Sequence, residues 1–107
     1  MIKLNLSELA IKKIEEKLKQ NQYVKLTYDT DGCGCGVNGV TALTIGSDLD
    51  RYDVQMITNS PFPIYINKGS MIFFDDEMQL DYSETTKSFQ LKSKQQMFHS
   101  RMSLYEQ

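Results

Sequence analysis

The two cysteines are the residues whose type and spacing most clearly indicate chemistry. Cys33 and Cys35 flank one glycine in the run Asp29-Thr30-Asp31-Gly32-Cys33-Gly34-Cys35-Gly36-Val37-Asn38-Gly39, here called the cysteine loop. Residues two apart on a strand lie about 6.6 Å apart, whereas thiolates on one tetrahedral metal need their sulfurs within roughly 4 Å. Gly34 can supply the necessary bend, because glycine tolerates backbone conformations closed to other residues. The pattern therefore predicts a metal-binding or redox-active thiol pair.

Two other interpretations of the cysteine loop stay open. It could be a glycine-rich hairpin in which the cysteines are merely small and tolerated. It could also hold a redox-labile disulfide, since residues this close in sequence close only a strained, easily reduced ring.

The number of available ligands limits any metal site. Zinc and iron-sulfur sites usually need four protein ligands, and the chain has two cysteines and one histidine. Two chains related by a twofold axis would offer four thiolates, enough for a bridging 2Fe-2S cluster. Alternatively, His99 completes the shell, although a single histidine in a polar tail is more often an exposed bystander. Cys33 and Cys35 are thus the candidate cofactor ligands, with His99 as a further candidate metal ligand.

Length and composition predict one globular domain over residues 1–107. A net charge of −2 and a pI near 5.3 give no reason to expect a nucleic-acid partner. Apolar runs fall far short of the roughly 20 residues that cross a bilayer, and the N-terminus does not resemble a secretory signal. We therefore expect a cytoplasmic protein without membrane contact. The sequence shows no catalytic constellation, phosphate loop or dinucleotide motif, so we expect no enzyme.

The elements that must position the cysteines begin with an amphipathic helix over residues 8–19, capped by Ser7. Its apolar face holds Ala10, Ile11, Ile14 and Leu18. Strand patterns follow at residues 23–29, 40–45, 52–58, 62–66, 79–83 and 88–92. A short helical turn, capped by Asn67, is expected to carry Met71, Phe73 and Phe74 inward. One helix followed by many short strands indicates an α+β fold.

The order of these features resembles the HesB-like A-type carrier family of iron-sulfur cluster assembly. The resemblance covers about residues 4–92. It rests on the N-terminal helix, the strand leading into the cysteine loop, Ile64-Tyr65-Ile66-Asn67-Lys68-Gly69-Ser70, Leu80-Asp81-Tyr82, and Ser88-Phe89-Gln90-Leu91. It implies a HesB-like sandwich of short strands, mixed and mainly β, on which the N-terminal helix packs.

The resemblance departs from the family pattern at two places. Either Cys33 or Cys35 could match the family's first cysteine, so the match is to the pair. The family's C-terminal C-G-C is absent, and gapless counting from Phe89 puts His99-Ser100-Arg101 roughly where it would fall.

The implied function is that of an accessory protein of iron-sulfur cluster biogenesis, which binds iron or a labile iron-sulfur cluster through the glycine-rich C-x-C loop. Its expected partners are iron-sulfur assembly or recipient proteins and, in a possible homodimer, a second copy of the chain. The alternatives are a metal-free protein-interaction module on the same fold and a thiol redox sensor.

Overall fold

A computed structural model describes residues 2–29, 40–102 and 104–106, which form two five-stranded sheets, one α-helix and one 3-10 helix. The helix α1 spans Glu8–Lys17, and the 3-10 helix spans Lys68–Phe73. The strands are β1 (Lys3–Leu6), β2 (Tyr23–Asp29), β3 (Val40–Gly46), β4 (Asp53–Gln55), β5 (Ile57–Thr58), β6 (Ile64–Asn67), β7 (Glu77–Ser83), β8 (Ser88–Lys92), β9 (Met97–Met102) and β10 (Leu104–Glu106).

The sheets are mixed, and together with α1 they enclose one apolar core. The strand orders are β5-β1-β7-β8-β9 and β10-β3-β2-β6-β4. Both sheets and α1 contribute side chains to a single buried cluster, which contains the predicted helix residues Ala10 and Ile14. The predicted α+β class, a helix on a mainly β sandwich, is therefore confirmed. No helix in the described ranges is long and apolar enough to cross a membrane.

The helix α1 begins where its sequence predicts and ends earlier. The Ser7 side chain accepts a hydrogen bond from the Ala10 amide at 3.2 Å, which confirms the predicted cap. The prediction that the helix reaches residue 19 was wrong by one half-turn. At Leu18 the backbone is extended, with φ −79° and ψ 121°, while its amide still donates to the Ile14 carbonyl.

A strand that the sequence analysis did not predict, β1, precedes the helix. It lies between β5 and β7 and runs parallel to both. Leu4 and Leu6 point inward, with exposed fractions of 0% and 5%, while Lys3 is exposed. An alternation of only four residues, directly before a helix, is too short for the sequence alone to identify it as a strand.

The prediction of one strand over residues 52–58 was also wrong. Two strands occupy this stretch and belong to different sheets: β4 pairs with β6, and β5 pairs with β1. The chain crosses between the sheets at Met56, which is 3% exposed and donates its amide to the Ile64 carbonyl at 2.8 Å. The sequences of β4 and β5 together alternate like one continuous strand, so the hydrophobic periodicity cannot show that the chain changes sheets between them.

The C-terminal segment makes a second crossing. The strand β9 lies at the edge of one sheet beside β8, and β10 lies at the edge of the other, parallel to β3. Because β10 extends β3's sheet, it brings the C-terminal residues alongside the strand that follows the cysteine loop.

Candidate functional site

The cysteine loop joins two strand ends that are paired with each other. The antiparallel ladder of β2 and β3 runs from Tyr23 opposite Gly46 to Asp29 opposite Val40. Cys33 and Cys35 fall within residues 30–39, outside the described residues, so their assignment as ligands stays a prediction. The ladder nevertheless shows that the segment with the predicted ligands begins and ends at the same end of the β10-β3-β2-β6-β4 sheet.

An aromatic cluster of Tyr28, Phe73, Phe74 and Phe98 lies beside that end. The ring of Tyr28 stacks on that of Phe73, with centroids 4.1 Å apart and planes within 7°. Phe74 packs edge-on against Tyr28 at 5.9 Å and also contacts Phe98 at 5.6 Å. The cluster thereby ties together the end of β2, the 3-10 helix and β9.

The 3-10 helix holds two of these rings in place. The Asn67 side chain caps it as predicted, its Oδ1 accepting from the Gly69 amide at 2.9 Å. The predicted inward placement holds for Phe74, which is 8% exposed, and Met71 packs against the core while half-buried. It was wrong for Phe73, which is 40% exposed, because its ring lies over Tyr28 at the surface.

His99 lies in β9, the strand whose sequence was not assigned to any element. Its backbone pairs with Leu91, and the β8–β9 register shifts on both sides of this pair. Such irregularities insert extra residues and bend a strand. The next residue toward the N-terminus, Phe98, joins the aromatic cluster, and β9 also contacts β3. The backbone of His99 therefore lies at the same end of the sandwich as the strand ends that flank the cysteines.

Phe98 is the member of this arrangement that sequence reasoning missed. A signal was present, because Phe98 and Met102 are large apolar residues in a mostly polar tail, whereas the neighbouring Met97 is 51% exposed. Such residues indicate burial of one strand face. Met102 is indeed fully buried and Phe98 half-buried.

The described side chains do not form a metal site of their own. Among the side chains that the structure describes, which do not include that of His99, no group of three or more His, Cys, Asp or Glu residues is placed to hold a metal ion. The donors left to test are those predicted from the sequence: Cys33, Cys35 and His99. Thiolate and imidazole donors suit iron, iron-sulfur clusters and zinc, so the chemistry of this set fits the predicted ligand.

Comparison with known proteins shows the family to which the chain belongs. The family model for iron-sulphur cluster biosynthesis matches residues 2–106. The uncharacterized protein YqkB of Bacillus subtilis (strain 168) is 41% identical over 80 residues, which cover 75% of this chain and 74% of YqkB.

Two solved structures share the fold. One, from Lactobacillus salivarius, is of a proposed Fe-S biosynthesis protein; it has a TM-score of 0.80 and 19% identity and covers 98% of each chain. The other, of a proposed Fe-S biosynthesis protein from Lactobacillus acidophilus, has a TM-score of 0.73 and 14% identity over 98% of this chain and 90% of that one. Matched along nearly its whole length, the chain belongs to the iron-sulphur cluster biosynthesis family that its HesB-like motifs predict.

Proposed function

We propose that this protein is an accessory carrier of iron-sulfur cluster biogenesis that binds iron or a labile cluster through Cys33 and Cys35. The family match over residues 2–106 carries the proposal, since it supports a general role in iron-sulfur biogenesis that is carrier-like rather than catalytic. The iron or cluster is cargo in this proposal. The paired ends of β2 and β3 support it further, because they fix both ends of the segment that contains the thiols.

The number of thiols makes a homodimer part of the proposal. One chain has two cysteines, so two chains related by a twofold axis supply the four thiolates that a 2Fe-2S cluster takes. The aromatic cluster next to β2 would limit water access from one side. Restricted access of this kind is one of the ways in which a protein tunes a bound cluster.

The proposal extends to partners and compartment. The recipients of the cargo would be assembly proteins or apo-proteins of the iron-sulfur pathway. A reducing cytoplasm suits such a role, because thiols that hand over a labile cluster must not be locked in disulfides.

A metal-free interaction module is the second candidate. The observation that favours it is β9, which has His99-Ser100-Arg101 where the family's C-G-C would fall by gapless counting. A thiol redox sensor is the third. It uses the same two cysteines, which would form a disulfide with loss of two hydrogens.

The deciding experiment is reconstitution of anaerobically purified protein with iron and sulfide. Its readouts are iron and acid-labile sulfide per chain, the visible absorption spectrum and the mass in solution. We expect about one iron and one sulfide per chain in a dimer, as for one 2Fe-2S cluster on two chains. A Cys33→Ser, Cys35→Ser double variant should stay colourless, whereas Ser47→Ala, changed in an exposed turn, should behave as the wild type.

Two outcomes would overturn the proposal. A colourless protein that resists reconstitution would favour the interaction module. A mass loss of two hydrogens after mild oxidation of metal-free protein, without metal uptake in any condition, would favour the redox sensor.

A further inference from the structure

A cavity of about 320 Å³ lies between α1 and the hairpin of β7 and β8. Its floor is apolar: Phe89 and Met102 are buried, and the ring of Tyr82 packs against Phe89 with centroids 4.9 Å apart. Leu104 of β10 completes the wall. None of the lining residues belongs to the aromatic cluster or the cysteine loop, so the cavity is a separate feature of the fold.

The rim of this cavity is basic. Lys13, Lys17 and Lys87 line it together with one acidic residue, Glu16, although the chain as a whole has a net charge of −2. The Lys13 ammonium lies 5.5 Å from the centroid of the Tyr82 ring, and only 4.0 Å separate it from the nearest Glu16 oxygen. The three lysines still outnumber the two nearby carboxylates that the structure describes, Glu16 and the neighbouring Glu84.

Lys87 projects into this rim from a backbone that glycine would adopt more readily. Its φ is 53°, in the left-handed region that residues other than glycine rarely adopt. The turn that connects β7 and β8 therefore has a lysine at a position where glycine would be less strained. Local strain of this kind is often found at ligand sites.

From this combination we propose that the cavity binds a small organic anion, an aromatic or short acyl group with one carboxylate. The apolar part would displace water from the half-buried side chains of Tyr82 and Leu104, which lie over the buried Phe89 and Met102, and this favours binding in proportion to the apolar area covered. The carboxylate would lie among the lysine ammonium groups, which select anions over neutral molecules of the same shape. The cavity is near the lower end of ligand-site volumes, about 300–1,000 Å³, so dinucleotide-sized ligands are excluded.

The test is a titration of ¹⁵N-labelled full-length protein with 2-naphthoate, followed by amide chemical shifts. We expect saturable shifts at Lys13, Tyr82, Lys87 and Phe89. The neutral isostere 2-naphthamide should bind about tenfold more weakly, as should 2-naphthoate to a Lys13→Gln, Lys87→Gln variant, because both changes remove the attraction between the carboxylate and the two ammonium groups. Raising the ionic strength should weaken only the charged ligand.

The matched control is Lys12→Gln, which removes the same charge from an exposed position of α1 that does not line the cavity. It should bind 2-naphthoate like the wild type. Equal affinity for naphthoate and naphthamide, shifts elsewhere, or no shifts at millimolar ligand would overturn the inference. The Cys33→Ser, Cys35→Ser variant should retain naphthoate binding, so this outcome is independent of the proposed cluster.

Discussion

The side-chain amide of Asn59 bonds to both backbone polar groups of Leu6. Its Oδ1 accepts from the Leu6 amide at 2.8 Å, and its Nδ2 donates to the Leu6 carbonyl at 3.1 Å. The β1–β5 ladder ends with Leu4 opposite Thr58, so the Asn59 side chain continues the pairing beyond the last backbone partner. In this way a turn residue closes the edge between two strands that are distant in sequence.

Replacing Asn59 with alanine should lower the free energy of unfolding by about 1–3 kcal/mol, because both Leu6 groups lose their partners. Asn59→Asp should fall between wild type and alanine, since it keeps the acceptor and loses the donor. Urea denaturation measures the change. The control is Asn5→Ala, which removes a single 3.3 Å bond to Glu77 and should cost less than about 1 kcal/mol. Equal costs for Asn5→Ala and Asn59→Ala would contradict this role.

Lys25 and Asp53 form an ion pair of 2.7 Å in which the Asp53 side chain is fully buried. The same carboxylate oxygen accepts from the Asp50 amide at 2.7 Å. We expect Asp53→Asn to destabilise the protein by about 2–4 kcal/mol, because it leaves a half-buried ammonium without its counter-charge. The exposed pair Lys92–Asp81, at 3.2 Å, provides the control, and Asp81→Asn should cost less than about 1 kcal/mol.

The cost of Asp53→Asn should depend on pH. Burial by itself raises the pKa of Asp53, but hydrogen bonds from Lys25 and Asp50 and the Lys25 charge outweigh it, so the pKa lies below its ordinary value of 3.8. A depressed carboxyl pKa stabilises the fold above the unfolded pKa and loses that effect as pH falls through the folded one. Wild type and Asp53→Asn should therefore converge in stability below about pH 4. A constant difference from pH 7 to pH 2 would show that Asp53 acts without its charge.

The structural features that were predicted correctly from the sequence are those that depend on a few neighbouring residues. Ser7 and Asn67 cap their helices as expected, because capping requires only a side-chain oxygen and an amide two or three positions away. The alternation in β2 and β8 likewise matched the strands found. The motif order identified the family, which in turn implied the sandwich.

The crossings at Met56 and between Met102 and Leu104 could not be predicted in the same way. A strand that changes sheets keeps its alternation, and its partner is selected by residues far away in the chain. The contact of Phe98 with Phe74 depends on the pairing of β9 with β8, and the apolar residues of the tail indicate burial without revealing that pairing. The cysteines themselves were found from residue type and spacing, and their ligand role remains a prediction.

The Tyr28–Phe73 stack should be energetically coupled although it is partly exposed. Tyr28→Ala, Phe73→Ala and the double variant form a cycle whose coupling energy we expect at about 0.5–1.5 kcal/mol, the usual range for aromatic pairs. Thermal and urea unfolding of the four proteins measure it. Phe74→Ala, which opens the buried side of the cluster, should cost more than Phe73→Ala, at about 3 kcal/mol or above. Additive effects at Tyr28 and Phe73 would contradict the coupling.

Substitution of His99 distinguishes between the two ways in which the ligand shell of the metal or cluster can be completed. If two chains share a cluster through four thiolates, His99→Ala should leave iron and sulfide per chain unchanged, and the reconstituted protein should remain a dimer. If His99 is a ligand together with Cys33 and Cys35, the same variant should lose at least tenfold in metal affinity, and the loaded protein should be a monomer. Metal analysis and mass in solution distinguish these outcomes.

His99→Gln, which keeps a polar side chain in β9, controls for disturbance of the strand that holds Phe98 against Phe74. Loss of cluster in His99→Ala with a dimer retained would contradict the shared four-thiolate site, because histidine would then be required alongside the thiols of both chains.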